Sequence, residues 1–422
     1  MGMTLAEFRR TGHWPTLLAA FLYFDVSFCV WYLLGPLGNF IAEDLQLSAT
    51  QKGLLVATPL LGGSVFRIVM GILTDAIGPR RTGLAGIGLT FVPLVLGWLT
   101  ADSLPRLFVT ALLLGIPGAS FAVALPLASR WYPPERQGLV MGIAGAGNSG
   151  TVLAAVFLPR VAAAWGWRSA IGMMMVPMAV VGLIFFWCAK ESPRQPARKR
   201  LRDYGAVLGQ LDTLWFCFFY AITFGGFVGL ASFLGMFFRD QYGLDKVTTG
   251  DLTALCVFAG SFMRPVGGAL ADRYGGIRLL ALVYAVVAVL VTATATMPPL
   301  WLAVPLLVAT LLVLGAGNGA VFQLVPLRFQ HDIGVITGLV GAAGGLGGFF
   351  LPSILGLLRD LTGTYASGLV VFAAVGVWGM TLVLAVRGGW RLTWAGRGTL
   401  QVSDMPETPL VADFGISSPT VS

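Results

Sequence analysis

The chain of 422 residues is 56% hydrophobic and 11% charged, with a mean hydropathy of +0.82, which excludes an ordinary soluble domain. Its net charge of +8 points to no nucleic-acid partner, because the basic residues crowd into loops between apolar runs and so obey an orientation rule for membrane segments. Four cysteines without paired spacing and two histidines leave little for a disulfide framework or a histidine-based metal site, and no cofactor or metal is expected.

Twelve apolar runs follow in order, each long enough to cross roughly 30 Å of hydrocarbon as a helix. The first, 15–42, carries Asp25 within "FDVSFCVW" (24–31) and has no small-residue cleavage site behind it. It reads as a retained span and not as a removable signal. The second, 50–76, contains "LLGGSVFRIVMGILTD" (60–75), with Arg67 eight residues before Asp75. At 1.5 Å per residue that places the guanidinium about 12 Å inside the helix end, near the midplane. A charge there costs roughly 3 kcal/mol on insertion scales, and guanidinium keeps its proton. Its own helix offers no acid between Gly53 and Met70. The segment "GILTDAIGPRR" (71–81) then leads into the third run, 80–101, and the fourth spans 105–132.

The fifth run, 138–163, holds "GAGNSG" (145–150), and the sixth covers 168–188. Behind it comes the one strongly basic, proline-containing stretch, "KESPRQPARKRLRDYG" (190–205), which reads as a cytoplasmic linker over 190–210. In the seventh run, 212–241, Tyr220 and Phe224 stand four residues apart and share a helical face. The eighth, 247–272, carries Arg264, equally alone between Leu252 and Leu270. The ninth and tenth are 277–297 and 300–330. The eleventh, 335–360, holds "GAAGGLGG" (341–348), and the twelfth, 366–387, precedes a polar tail, 391–422, expected to be disordered.

A shift of 197 residues lays "SVFRIVMGILTDAIGPRR" (64–81) on "SFMRPVGGALADRYGGIR" (261–278) and brings Arg67 onto Arg264 and Asp75 onto Asp272. A shift of 196 brings Gly138, Gly142 and Gly145 onto Gly334, Gly338 and Gly341. Two similar six-helix halves, 1–189 and 211–390, in one orientation are the layout of a parallel-repeat transporter with its site between them, which favours a carrier over a membrane enzyme. The excess of Lys and Arg on the linker side puts both termini in the cytoplasm.

If both arginines face the central cavity they repel, by roughly 2 kcal/mol at about 7 Å and an effective dielectric of 20, and a bound anion would relieve them. The alternative is an acid on another helix, Asp25 for example. The planar fork of arginine favours a planar oxyanion such as nitrate, nitrite or a carboxylate over a doubly charged tetrahedral one. Closely spaced glycines suit helix packing and sliding, and their exposed backbone can also line a narrow site.

The segment 71–81 resembles the loop motif of the major facilitator superfamily between its second and third helices, and 267–278 repeats it less completely. The resemblance implies gating, not ligation, for Gly71, Asp75, Gly78, Arg81, Gly268, Asp272 and Arg273. The paired glycine-rich segments of the fifth and eleventh runs resemble the signatures of the nitrate/nitrite porter family within that superfamily, and the likeness to its bacterial members extends over nearly the whole chain. It implies a twelve-helix facilitator fold, signature glycines at Gly145, Gly147, Gly150, Gly341, Gly344 and Gly345, and a nitrate clamp of Arg67 and Arg264. It also implies that Asn148, Tyr220 and Phe224 join the site, with Phe121 and Phe28 as looser matches. Gly344 stands where the first signature has Asn148, so the second signature brings no such side chain.

The expected function is uptake of nitrate, and of nitrite, through a bacterial inner membrane by a monomer working by alternating access. Proton symport stands beside nitrate/nitrite exchange, a monocarboxylate is the alternative substrate, and a transporter-like sensor is the alternative class. For symport the candidates are Asp25, Asp251 and His331, with Asp25 preferred. An inside-negative potential opposes anion influx by about 2.3 kcal/mol per charge per 100 mV, so net accumulation needs at least two protons.

Overall fold

The computed structural model describes residues 12–133, 140–141, 143–193, 205, 207–329, 333–390 and 392. His331 and nearly all of the tail lie outside them. The described residues form no strands, and their helices are α1 (Trp14–Asp44), α2 (Ala49–Ile77), α3 (Pro79–Leu99), α4 (Leu104–Ser129), α5 (Gly150–Trp165) and α6 (Trp167–Cys188). After the linker come α7 (Leu211–Tyr242), α8 (Lys246–Tyr274), α9 (Gly276–Ala295), α10 (Leu300–Arg328), α11 (Ile333–Thr362) and α12 (Ala366–Trp390). Eleven helices among the described residues are long and apolar enough to cross a membrane. The fifth expected run, 138–163, falls partly outside the described residues.

Local sequence accounts for several of the breaks. Pro36 has no N–H to give to Tyr32, and α1 is interrupted at Leu33 between them. Ser48 and Gln51 form a capping box that starts α2, and the Asp245 carboxylate caps α8 by accepting from the N–H groups of Val247 and Thr248. The two loop segments end their helices alike: Gly78 has φ +94° and Gly275 has φ +89°, a conformation that favours glycine.

Close crossings recur in the two parts of the chain. A Cβ on Gly62 of α2 would lie 2.1 Å from the Leu112 carbonyl oxygen, and one on Gly115 of α4 would lie 2.1 Å from Gly62. Likewise a Cβ on Gly315 of α10 would lie 2.0 Å from the carbonyl oxygen of Gly260 on α8. These glycines let the arginine-bearing helices press against their neighbours, backbone on backbone.

The two ends of the bundle differ. At the end remote from the linker, bonds join the first six helices to the last six. The Tyr32 hydroxyl donates to Ala231 O (2.5 Å) and Asn39 Nδ2 to Gly235 O (2.8 Å). Lys52 pairs with Asp240 at 3.2 Å, Arg160 with Asp251 at 2.7 Å, and Lys246 with Glu43. At the linker end the ion pairs stay within one set of six: Asp75 with Arg130 at 2.9 Å, and Asp212 with Arg328 at 2.5 Å. Among the described residues no ion pair joins the two sets there. Among the described residues, the ion pairs that cross between the two sets therefore gather at the far end.

Candidate anion-binding site

Arg67 is 3% exposed, on α2. Its Nε donates to Gly118 O on α4 (3.1 Å) and its Nη1 to Gly341 O on α11 (2.7 Å). Its Cζ lies 5.0 Å from the centre of the Trp31 ring, 5.3 Å from Phe224 and 5.9 Å from Phe28, distances at which a ring face attracts a cation. Trp31 is set in place by two glycines: a Cβ on Gly63 or on Gly118 would meet its indole at 3.0 Å or 2.5 Å. Its Nε1 donates to Pro59 O. Backbone carbonyls and ring faces therefore compensate this buried charge, and no acid comes within ion-pair distance among the described residues. A guanidinium has five N–H donors. Two of those on Arg67 are engaged, leaving three on its Nη1 and Nη2 edge.

Arg264, on α8, is less deeply buried. Its Nη2 donates to the Tyr220 hydroxyl at 3.2 Å, and its Cζ stands 5.3 Å from the Phe322 ring and 5.9 Å from Phe121. Tyr220 stacks on Phe224 with centroids 5.0 Å apart and planes 6° apart. Since Phe224 also lies over Arg67, this pair on α7 links the two cations. Gly344 makes room for it: a Cβ there would lie 2.5 Å from the Tyr220 ring and 2.9 Å from Phe224. Phe121 faces Phe322 at 6.3 Å and Phe24 at 5.8 Å, and Phe28 packs against Phe24 at 4.3 Å. Low-dielectric walls of this kind strengthen any polar contact made between them.

The first signature breaks its helix into a 3-10 turn, Ala146–Ser149. Asn148, buried at that turn, donates from Nδ2 to Ser261 Oγ at 3.2 Å, crossing to α8 one turn before Arg264. Next to it the Ser149 hydroxyl donates to Asp25 Oδ1 at 2.6 Å. Asp25 is 7% exposed, and no cation lies within ion-pair distance of it among the described residues. Gly147 and Gly150 lie against α1, where a Cβ would come 2.7 Å from Phe24 and 1.8 Å from Asp25 O, while Gly145 faces open space. In the second signature Gly341 gives its carbonyl to Arg67, and a Cβ on Gly345 would meet Ser64 Oγ at 2.4 Å. Asp251, the other described acid considered for proton transfer, is paired with Arg160 at the far end.

The loop residues stand apart from this centre. Arg80 is tethered, its backbone N–H reaching Glu191 at 2.8 Å and its Nε reaching Ala189 O at 2.7 Å, while Arg81 is exposed. Gly71 has open space around its Cα, Gly268 has only Gly319 O at 4.0 Å, and Asp272 and Arg273 are exposed. Sequence reasoning missed Trp31, Phe322 and Ser261. Trp31 could have been found three residues after Phe28 on the same helical face, and Phe322 from its place 201 residues after Phe121, close to the repeat offset.

A twelve-run helical chain with one buried and one half-buried arginine on matched helices of its two halves is a membrane carrier of the facilitator type, and the Major Facilitator Superfamily profile matches residues 19–352. The fold is also that of a bacterial homologue of the human lysosomal transporter Spinster, in an inward-facing and occupied conformation, with a TM-score of 0.64 and 19% identity over 91% of this chain and 97% of that one. Among relatives, the nitrite extrusion protein of Bacillus subtilis is 34% identical over 85% of this chain and 90% of its own length. The probable nitrate/nitrite transporter NarK2 of Mycobacterium tuberculosis is 35% identical over 83% and 90%. The probable nitrate/nitrite antiporter NarK1 of Thermus thermophilus is 30% identical over 85% and 88%. The chain belongs to the nitrate/nitrite porter family of the major facilitator superfamily.

Proposed function

We propose that this protein carries nitrate and nitrite across a bacterial inner membrane by alternating access, with the anion held between Arg67 and Arg264. The observation that carries this reading is the pair of arginines in an aromatic enclosure with donors unspent and no acid beside them. An oxyanion supplies the acceptors those N–H groups lack, and a planar one matches the guanidinium fork. The names borne by relatives at 30–35% identity favour the same substrates. Residues 1–189 and 211–390 form the two rocking halves, joined by the 190–210 linker, and the monomer is the working unit. With both termini in the cytoplasm, the cross-set bonds at the far end favour reading this as an inward-facing state.

Coupling to protons is the finer part of the proposal. Asp25 is a buried carboxylate held by the Ser149 hydroxyl and not by a cation, and Ser149 follows Asn148 in the same turn, so its protonation can be felt at the site. Nitrate/nitrite exchange is the second reading. Two arginines without acids make the empty carrier reluctant to close, and an anion on the return leg removes that barrier.

The test is influx of isotopically labelled nitrate into proteoliposomes, with an inward proton gradient, with nitrite inside, or with neither. Accumulation under the gradient alone establishes symport, and its loss in Asp25→Asn assigns the proton site. Influx only against internal nitrite establishes exchange. Inhibition of that flux by formate or acetate at concentrations similar to nitrate would point to a monocarboxylate carrier. No influx under any condition overturns the transport reading and leaves a sensor.

A further inference from the structure

Deep in α10 lies a polar group to which neither the arginines nor the signatures lay claim. Asn318 is 2% exposed, its Oδ1 is buried without a hydrogen-bond partner, and its amide nitrogen has none among the described residues. Leaving a buried carboxamide unpaired is a standing cost, and apolar residues of similar shape avoid it. An unsatisfied buried group in a native protein calls for an explanation, such as a functional role or a bound species.

Its position says what the group faces. Phe322, one turn further along α10, lies edge-on to Tyr220 at 4.9 Å and 5.3 Å from the Arg264 guanidinium, and residues four apart share a helical face. The glycines on either side of Asn318 press α10 onto its neighbours. A Cβ on Gly317 would lie 2.7 Å from Thr223 of α7, and one on Gly319 would lie 2.2 Å from Arg264 O of α8. Asn318 thus lies between two close contacts of α10, one with the helix that bears Tyr220 and one with the helix that bears Arg264.

We infer that Asn318 is a further ligand of the anion, donating an amide N–H to an oxygen that the two arginines leave uncovered. The inference rests on the proposed transport of nitrate and nitrite. It gives the site a means of telling them apart: nitrate has three oxygens in a plane, whereas nitrite has two and a nitrogen lone pair. A third donor set to one side of the arginine pair reads the third oxygen. Asn318 therefore favours nitrate and contributes little to nitrite.

The test compares wild type with Asn318→Ala and Asn318→Leu as purified full-length protein, measuring thermal unfolding of the empty carrier and its stabilisation by titrated nitrate and nitrite. In Asn318→Leu, which keeps the volume and removes the unpaired polar group, the empty carrier is expected to melt no lower than wild type, whereas Asn318→Ala also leaves a cavity and melts lower. Nitrate affinity is expected to fall about tenfold, or about 1.4 kcal/mol, with nitrite affinity changed less than threefold. Equal losses for the two anions, or unchanged nitrate affinity, would overturn the inference. So would a lower melting point of empty Asn318→Leu, which would mark Asn318 as structural. A wild-type protein that neither anion stabilises would instead refute the transport reading itself.

Discussion

Arg67 and Arg264 occupy matched places in the repeat, yet they are held in different ways. Arg67 is fully enclosed, with its charge spread over three rings and two carbonyls, and one of those carbonyls, at Gly341, belongs to the opposite set of six helices. Arg264 is less buried and rests on a tyrosine hydroxyl and two phenylalanine rings. The first therefore holds the two sets of helices together as well as facing the site, while the second is free to follow a ligand. Equivalent positions in a duplicated fold need not share one task.

The most severe test of that difference replaces each arginine by lysine. An ammonium cannot reach Gly118 and Gly341 while presenting a flat pair of donors. Nitrate flux is expected to fall about 100-fold in both variants, but only Arg67→Lys should also lower the stability of the empty protein, by about 1–3 kcal/mol for the lost charged hydrogen bonds. Equal stability of the two variants would remove the asymmetry. Next in size, Gly344→Ala inserts a methyl against the Tyr220–Phe224 stack; overpacking of about 1–3 kcal/mol should weaken nitrate binding roughly tenfold, as read by titration. Tyr220→Phe removes only the hydroxyl that holds Arg264. It should weaken binding by about 1 kcal/mol, and tryptophan fluorescence near Trp31 should not change. The smallest effect is expected from Lys52→Ala at the far end, about 1 kcal/mol or less, seen as faster reaction of an outward-facing cysteine probe and not as altered affinity.

Much of the site was legible because charge is conspicuous in an apolar run. Arg67, Arg264 and Asp25 stood out for the cost of placing them there, and the loop repeat paired the two arginines by number. What escaped was written in groups that carry no such cost. The Gly118 and Gly341 carbonyls exist at every residue, so nothing in the sequence marks them as the partners of Arg67. Trp31 and Phe322 looked like ordinary filling among 28 phenylalanines and 12 tryptophans. The contact of Arg80 with Glu191 past the turn at Gly78 went unmarked as well. Which end is closed was equally hidden, because Lys52, Asp240, Arg160 and Asp251 read as common helix-end charges until the fold brings them opposite one another.

Asp240 sets how easily the far end can let go. It accepts from Lys52 across the divide, but also from Arg359 at 2.9 Å and from the Tyr365 hydroxyl at 2.7 Å, both in its own set of helices. When the two sets part, only the lysine leaves. The carboxylate keeps two donors and never has to be left bare, and the departing ammonium emerges into water. A latch whose keeper remains neutralised on its own side costs little to open.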